Sequence, residues 1–234
     1  MRDQYAGDIS DVLKFGLLRA LAANDRKLGI AWYYAPGHDG RADGRHLEWQ
    51  DDEAWCRLDS DVAHALANLP ERSVAALEGA QLWPAGAIFH REQMPHFTKR
   101  ADWASRKRDA LGACDLVFLD PDNGLGSDPE KHATFAEVRA LRKTGRAIVF
   151  ITFPKRVSHD LQVRELHQRL RNETGTETVF TIRTSVSVQS SNPKYFVPRA
   201  RWFTLVDADA TLLHRAQSFA LALSSIRRAV AKIE

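Results

Sequence analysis

The stretch LVFLDPDNGL, residues 116–125, is the strongest indication of the fold in this sequence. Its first four residues form a continuous apolar run that is too short for a helix and is enclosed by polar residues, which predicts a strand buried on both faces. Asp120 follows that run, and Pro121 fixes the direction in which the chain leaves the strand. The pattern predicts a rigidly held carboxylate at the carboxyl end of a central strand. Ordinary turn chemistry at residues 122–124 is the alternative interpretation.

Two further apolar runs and six amphipathic segments surround this strand. Residues 28–34 (LGIAWYY) and 147–151 (AIVFI) are short and rich in aromatic or β-branched side chains, so each predicts a buried strand. Apolar residues at three- and four-residue steps predict helices. The predicted helices are residues 8–23, 59–69, 101–111, 128–143, 158–171 and 210–230. This alternation predicts an α/β fold, with a mostly parallel sheet that is covered by helices on both faces.

Weaker patterns complete the predicted sheet. Residues 73–77 and 87–89 are predicted as short strands, and residues 178–183 as a further strand. Residues 195–206 are predicted as two strands that join near Pro198, and the last strands would form an antiparallel hairpin at the sheet edge. The chain contains no internal repeat and no Ser/Gly-rich linker, so we expect a single domain over all 234 residues.

The composition is that of an ordinary globular protein. Its 33 Lys and Arg residues against 30 Asp and Glu residues give a net charge of +3, and 44% of the residues are hydrophobic. No apolar stretch approaches the ~18 residues that span a bilayer, and the N-terminal residues lack the apolar core of a secretory signal, so we expect a cytoplasmic protein without membrane contact. Cys56 and Cys114 lack a CxxC spacing and are predicted as ordinary buried thiols.

The basic residues are concentrated in two stretches. Residues 99–108 carry five bases and one acid, and residues 142–171 carry eight bases opposed by Asp160 and Glu165. Such stretches could form a basic face that holds the phosphates of RNA or DNA. Trp103 lies among the bases of the first stretch, and its alternative interpretation is a charged helix packed around one buried tryptophan.

Polar loops follow the three strongest predicted strands, and ligands of open α/β sheets bind outside the carboxyl ends of the strands. The loops are residues 35–46, 120–125 and 152–156. The candidate site residues in these loops are Pro36, Gly37, His38, Arg45, His46, Asp120, Asp122, Asn123, Lys155 and Arg156. Asp120, Asp122 and Asn123 are the expected catalytic residues. The expected substrate-binding residues are Lys155, Arg156, Arg45 and His46.

A second candidate segment is YAGDISDVLKF, residues 5–15. Asp8, Asp11 and Lys14 recur at three-residue steps, which places them along one side of the first predicted helix. Asp8 is also the predicted N-cap of that helix. The alternative interpretation is a solvated helix start whose acids lie near the positive end of the helix dipole.

These two segments resemble motifs of a known family. YAGDISDVLKF is similar to the HAGN-x-ADVLKH opening of the bacterial 23S ribosomal RNA adenine-N6 methyltransferases, and LVFLDPDNGL falls where that family has a strand followed by DPPY. Asn123 stands where the motif has its aromatic residue, and APGHDG at residues 35–40 stands where the family has THAGAG. The chain also resembles uncharacterised bacterial proteins that share a GDI-x-D-x-x-K-x-G-L-L-R opening and LDPDNG.

The resemblance implies a Rossmann-like methyltransferase fold that binds S-adenosylmethionine. It implies that Lys14 lies near the carboxylate of the cofactor, that Asp120 accepts a hydrogen bond from the target amine, and that Pro121 shapes the pocket. The expected cofactor-binding residues are Tyr5, Asp8, Asp11, Lys14, Pro36, Gly37 and His38. The expected activity is methyl transfer to a nitrogen of nucleic acid.

Two other functions stay open at this point. A metal-dependent phosphoesterase or nuclease would use Asp8, Asp11, Asp120 and Asp122 as oxygen ligands for Mg²⁺, with Lys155 near the scissile phosphate. A non-catalytic nucleic-acid or protein-binding module would keep the methyltransferase fold without turnover. The chain has no GxSxG, Walker or HExxH motif, which disfavours hydrolases, nucleotidases and zinc proteases of those classes.

Overall fold

A computed structural model describes residues 1–37, 40, 46–128, 130, 132–190, 192 and 194–234. The strands of the described residues are β1 (Leu28–Trp32), β2 (Ile88–His90), β3 (Leu116–Asp120), β4 (Ala147–Thr152), β5 (Val179–Gln189), β6 (Phe196–Val206) and β7 (Ala229–Ile233). The α-helices of the same residues are α1 (Ile9–Ala22), α2 (Ser60–Ala67), α3 (Val74–Gly79), α4 (Arg100–Ala110), α5 (Phe135–Leu141), α6 (His159–Thr174) and α7 (Ala210–Ser224).

The described strands form one sheet in the order β2-β1-β3-β4-β6-β5-β7. Strand β1 is parallel to both β2 and β3, and β3 is parallel to β4. Strand β6 is antiparallel to both β4 and β5, and β7 is antiparallel to β5. Strand β5 therefore points the same way as β1 to β4, and β6 and β7 are reversed. The arrangement confirms the predicted Rossmann-like α/β fold with antiparallel C-terminal strands. The predicted position of the hairpin at the sheet edge is wrong, because β6 lies between β4 and β5 and β7 forms the edge.

The central strands of the sheet are buried on both sides because helices cover both of its faces. Every residue of β1 and β3 is buried. Successive residues of a strand point to opposite faces. Phe118 packs in an apolar cluster with Leu13 of α1 and Leu212 of α7, and Leu119 packs in a second cluster with Trp103 of α4 and side chains of α5 and α6.

The structure differs from the prediction in two segments, and in each of them a helix cap explains the difference. Residues 73–77 are predicted as a strand, but the Ser73 hydroxyl accepts a hydrogen bond from the Ala76 amide at 3.0 Å and starts α3. The helix expected from residue 128 begins only at Phe135. Thr134 and Glu137 form a reciprocal capping box there, which satisfies the first free amides of α5.

The end of the chain differs from the prediction in two further ways. Residues 196–206 are one strand, and Pro198 lies in the half of β6 that pairs with β5 alone, where a residue without an N–H group is tolerated. The last helix ends at Ser224, because residues 229–233 pair with β5 as the edge strand β7.

Two remaining expectations concern the cysteines and the membrane. Cys114 is buried as predicted, but Cys56 is exposed, so the expectation of two buried thiols is wrong for Cys56. Among the described residues, no helix combines the length and apolar character needed to cross a membrane.

Candidate functional site

A cavity of about 630 Å³ opens at the carboxyl ends of β1 and β3. Strand β1 lies between β2 and β3 in the sheet. The chain therefore passes from β1 to β2 on one side of β1, and returns to place β3 on the other side. Open α/β sheets bind their ligands at such a switch point. The wall includes Ala35 beyond β1, Asp120 and Pro121 at the end of β3, and the first turns of α1. Its volume is typical of small-molecule sites.

A buried ammonium group joins α1 to β3 at the base of this cavity. The Lys14 Nζ lies 2.6 Å from Oδ1 of Asp11, and 3.3 and 3.2 Å from Oδ1 and Oδ2 of Asp120. None of the three side chains is more than 5% exposed. Burial by itself would lower the pKa of Lys14, but the charges of Asp11 and Asp120 outweigh it and hold that pKa above its ordinary value. Lys14 is therefore a cation.

The carboxyl group of Asp11 has an unusual environment. Burial raises its pKa to about 6, Lys14 opposes that rise, and the neighbouring charges of Asp8 and Asp120 add to it. The Gly7 amide donates a hydrogen bond to Asp11 Oδ2 at 2.8 Å. Asp8 accepts a hydrogen bond from the Ser10 amide at 2.8 Å, which confirms it as the N-cap of α1.

The structure brings most of the candidate residues from the two motifs, and His46 from the loop 35–46, to this cavity. Those that line it are Tyr5, Asp8, Asp11, Lys14, His46, Asp120, Asp122 and Asn123. Pro36 and Gly37 are absent from the wall of the cavity; Ala35 lies there instead, and the Pro36 carbonyl accepts a hydrogen bond from Arg2. His38 and Arg45 lie outside the described residues.

Other residues of the cavity wall belong to neither of the two sequence motifs. They come from distant parts of the chain and include Arg2, Met94, Glu130, Phe153, Arg199 and Arg201. Arg201 of β6 donates from Nε to the Ser10 hydroxyl at 2.8 Å and so connects the sheet to the start of α1. This contact spans most of the chain, and only the pairing of β6 with β4 places Arg201 there.

A second cavity of about 570 Å³ lies beside the first, over the residues that follow β4 and the central residues of β5 and β6. Its wall contains the bases Lys155, Arg156, Arg183, Arg199, Arg201 and Lys232, and we name it the basic groove. Arg183 forms ion pairs with Asp160 and Glu234, and Lys232 forms one with Glu234, so acidic side chains compensate these two bases. Phe153, Arg199 and Arg201 belong to both cavities. Lys155 and Arg156, expected at the substrate site, line the basic groove and not the first cavity.

The basic stretch 99–108 is divided between the surface and the interior, because Lys99, Arg106 and Arg108 are exposed whereas two other bases are not. Arg100 and Lys107 are buried, and each makes an ion pair with Glu137, at 2.6 and 3.2 Å. Arg106 pairs with Glu92, and Trp103 is fully buried. One side of α4 packs on the sheet, so some of its bases are buried and others lie at the surface, where they form ion pairs. The burial of Trp103 thus agrees with the alternative interpretation, a charged helix packed around one buried tryptophan.

The second basic stretch is also divided. Arg142 is paired with Asp207, and Arg146 is buried against backbone carbonyls. From this stretch, Lys155 and Arg156 contribute to the basic groove, whose other bases come from β5, β6 and β7. The groove therefore depends on the sheet pairing and not on a run of bases.

The geometry does not support the magnesium alternative. Within the part of the chain that the structure describes, no group of three or more His, Cys, Asp or Glu side chains is arranged to hold a metal ion. The ammonium of Lys14 lies between Asp11 and Asp120, where the metal-dependent reaction would require a metal ion. These acids are therefore not free to act together as metal ligands.

Comparisons with known proteins support the fold. No protein-family model and no curated protein matches the chain. A Legionella pneumophila protein of the family DUF519 is similar over 98% of this chain and 97% of its own, with 15% identity and a TM-score of 0.55.

Two methyltransferase structures are more distant. An S-adenosylmethionine-dependent methyltransferase from Agrobacterium tumefaciens has 14% identity over 84% of this chain and 62% of its own, with a TM-score of 0.41. A precorrin-6y C5,15-methyltransferase from Geobacter metallireducens has 11% identity over 82% of this chain and 86% of its own, with a TM-score of 0.37. TM-scores this low do not establish a shared fold.

The raised pKa of Asp11 predicts a specific dependence of stability on pH. The folded state binds this proton more tightly than the unfolded state, so the contribution of Asp11 is fully present below about pH 4 and is lost as the pH rises through about 6. The free energy of unfolding of the wild type, minus that of Asp11→Asn, should therefore fall across this interval in urea titrations. The exposed Asp109→Asn is the control. A difference that is flat or rises with pH would contradict the assignment.

Proposed function

We propose that the chain is an S-adenosylmethionine-dependent methyltransferase that acts on a nitrogen of nucleic acid. The observation that carries the proposal is the fixed carboxylate of Asp120, which Lys14 holds at the cavity on the switch point of the sheet. The similarity of residues 5–15 and 116–125 to the adenine-N6 methyltransferase motifs supports it. The sheet, in which β2, β1, β3 and β4 are parallel and the C-terminal strands are paired antiparallel, is compatible with it.

The charges that line the cavity fit the proposed cofactor. S-adenosylmethionine has a sulfonium and an ammonium group, which are favoured near the carboxylates of Asp8 and Glu130. The carboxylate of Asp122 already forms an ion pair with the N-terminal ammonium of Met1 at 2.9 Å. The carboxylate of the cofactor needs donors, and Arg2 and Lys14 bring cationic groups to the same wall. When bound, the cofactor supplies an electrophilic methyl group.

Asp120 would position the attacking nitrogen. A carboxylate has about four lone-pair sites, so contact with Lys14 leaves capacity to accept a hydrogen bond from an amine N–H. That hydrogen bond directs the nitrogen lone pair away from Asp120, and one of its two oxygens can hold the proton that the nitrogen loses. Lys14 stabilises the negative charge of Asp120 and restricts its movement. The rate enhancement would then come mainly from orientation.

The basic groove supports a nucleic-acid substrate. It adjoins the cavity and shares Phe153, Arg199 and Arg201 with it. Lys155 and Arg156 are positioned along this groove, where Arg156 is exposed. Phosphates bound along these bases would bring an attached base to the mouth of the cavity that contains Asp120.

Replacement of Asp120 tests the catalytic part of the proposal. Asp120→Asn should lower the rate of tritiated methyl transfer to RNA or DNA by about 10²–10⁴-fold, because the amide lacks the charge that holds the proton. Asp115→Asn is the matched control, since Asp115 directly precedes β3 at the opposite end of the strand. It should keep wild-type activity. Transfer by neither the wild type nor the control, with nucleic-acid binding intact, would favour the non-catalytic binding module.

The salt dependence of binding tests the role of the basic groove. Replacement of Lys155 and Arg156 by alanine should weaken the binding of single-stranded nucleic acid. It should also reduce the slope of log affinity against log salt by about 0.7 for each phosphate that the protein no longer neutralises. Arg171→Ala removes an exposed base near the other end of α6 and should leave the slope unchanged. Fluorescence anisotropy over a salt series measures both. Equal slopes for the wild type and the double variant would show that the groove is not part of the binding surface.

A further inference from the structure

Phe153 lies on the border between the cavity and the basic groove. It follows the last residue of β4, lines both spaces, and is 36% exposed despite its large apolar ring. The guanidinium of Arg201 lies 5.0 Å from the centre of this ring. Arg201 is itself held by Ser10 and by the carbonyl of Ala200. The ring is therefore supported by an anchored cation and still accessible to a ligand.

The loop after β3 brings the polar centre of the site close to this ring. Leu119 pairs with Phe150 in parallel register, so the ends of β3 and β4 lie side by side. Gly124 has a φ of +85°, and a Cβ atom there would lie 2.9 Å from the Cα of Thr152. The loop that follows Asp120 is thus in direct backbone contact with the residue that precedes Phe153.

The other aromatic ring of the cavity is less suited to a substrate that enters from the groove. Within the described lining, Tyr5 and Phe153 carry the benzene rings, and Tyr5 does not line the basic groove. A nucleotide whose phosphates lie along Lys155 and Arg156 would therefore contact Phe153 before Tyr5. Aromatic side chains beside a basic track are the usual platforms for unpaired bases.

We propose that Phe153 is the stacking platform that holds the acceptor base between the basic groove and Asp120. This inference rests on the proposed function for the identity of the acceptor, but the stacking itself can be measured without methyl transfer. Phe153 would then contribute base-dependent affinity, whereas Lys155 and Arg156 would contribute phosphate-dependent affinity.

The test compares two probes with the same backbone. One is a short single-stranded DNA of mixed sequence, and the other carries tetrahydrofuran spacers in place of every nucleoside. The wild type should bind the base-containing strand more tightly. Phe153→Leu keeps an apolar side chain but removes the ring, so it should lower affinity for that strand by about 5- to 150-fold and leave the abasic strand unaffected.

Three further variants complete the design. Phe153→Trp should retain the preference for bases, and Phe97→Leu, which alters a phenylalanine that is 67% exposed elsewhere, should not change it. Arg156→Ala should weaken both strands equally. Equal affinity of the wild type for the two strands, or an unchanged preference in Phe153→Leu, would overturn the proposal. A preference that depends on Phe153 in a protein without methyl transfer would reject the proposed activity and keep the stacking site.

Discussion

The buried contact of Lys14 with Asp11 and Asp120 is the constraint on which the rest of the site depends. It connects the first helix to the central strand and places three ionisable groups in a region almost closed to water. Removal of one partner from such a group costs about 3–5 kcal/mol, because a charge is then buried without compensation. The contact therefore fixes the position of the Asp120 carboxylate at the cavity.

The fold maintains this contact through a few packing relationships. Asp120 is fixed because β3 lies between β1 and β4 and is buried along its whole length. The start of α1 is fixed by the Asp8 cap and by the contact of Arg201 with Ser10. The first cavity contains both acidic and basic side chains, and the basic groove beside it contains mainly bases. The proposed cofactor would occupy the first cavity, and the phosphates of the substrate would occupy the groove.

Local sequence patterns predict the parts of the site that depend on local structure. Asp120 ends an apolar run, and Asp8, Asp11 and Lys14 lie on one face of a helix, so their positions follow from strand and helix periods. Phe153 and Arg201 carry no such signal, because only the pairing of β6 with β4 brings them together. The basic residues show the same limit. Arg100 and Lys107 belong to a basic run but are buried. The edge strand β7 also depends on distant pairing.

Calorimetric titration with S-adenosylmethionine tests most directly whether the cavity beside Lys14 and Asp120 is a cofactor site. Saturable binding at one site per chain is expected, with a dissociation constant between about 1 μM and 1 mM, the range in which the KM values of enzymes usually lie. A folded sample that gives no heat of binding and no rise in melting temperature at millimolar cofactor would contradict this expectation.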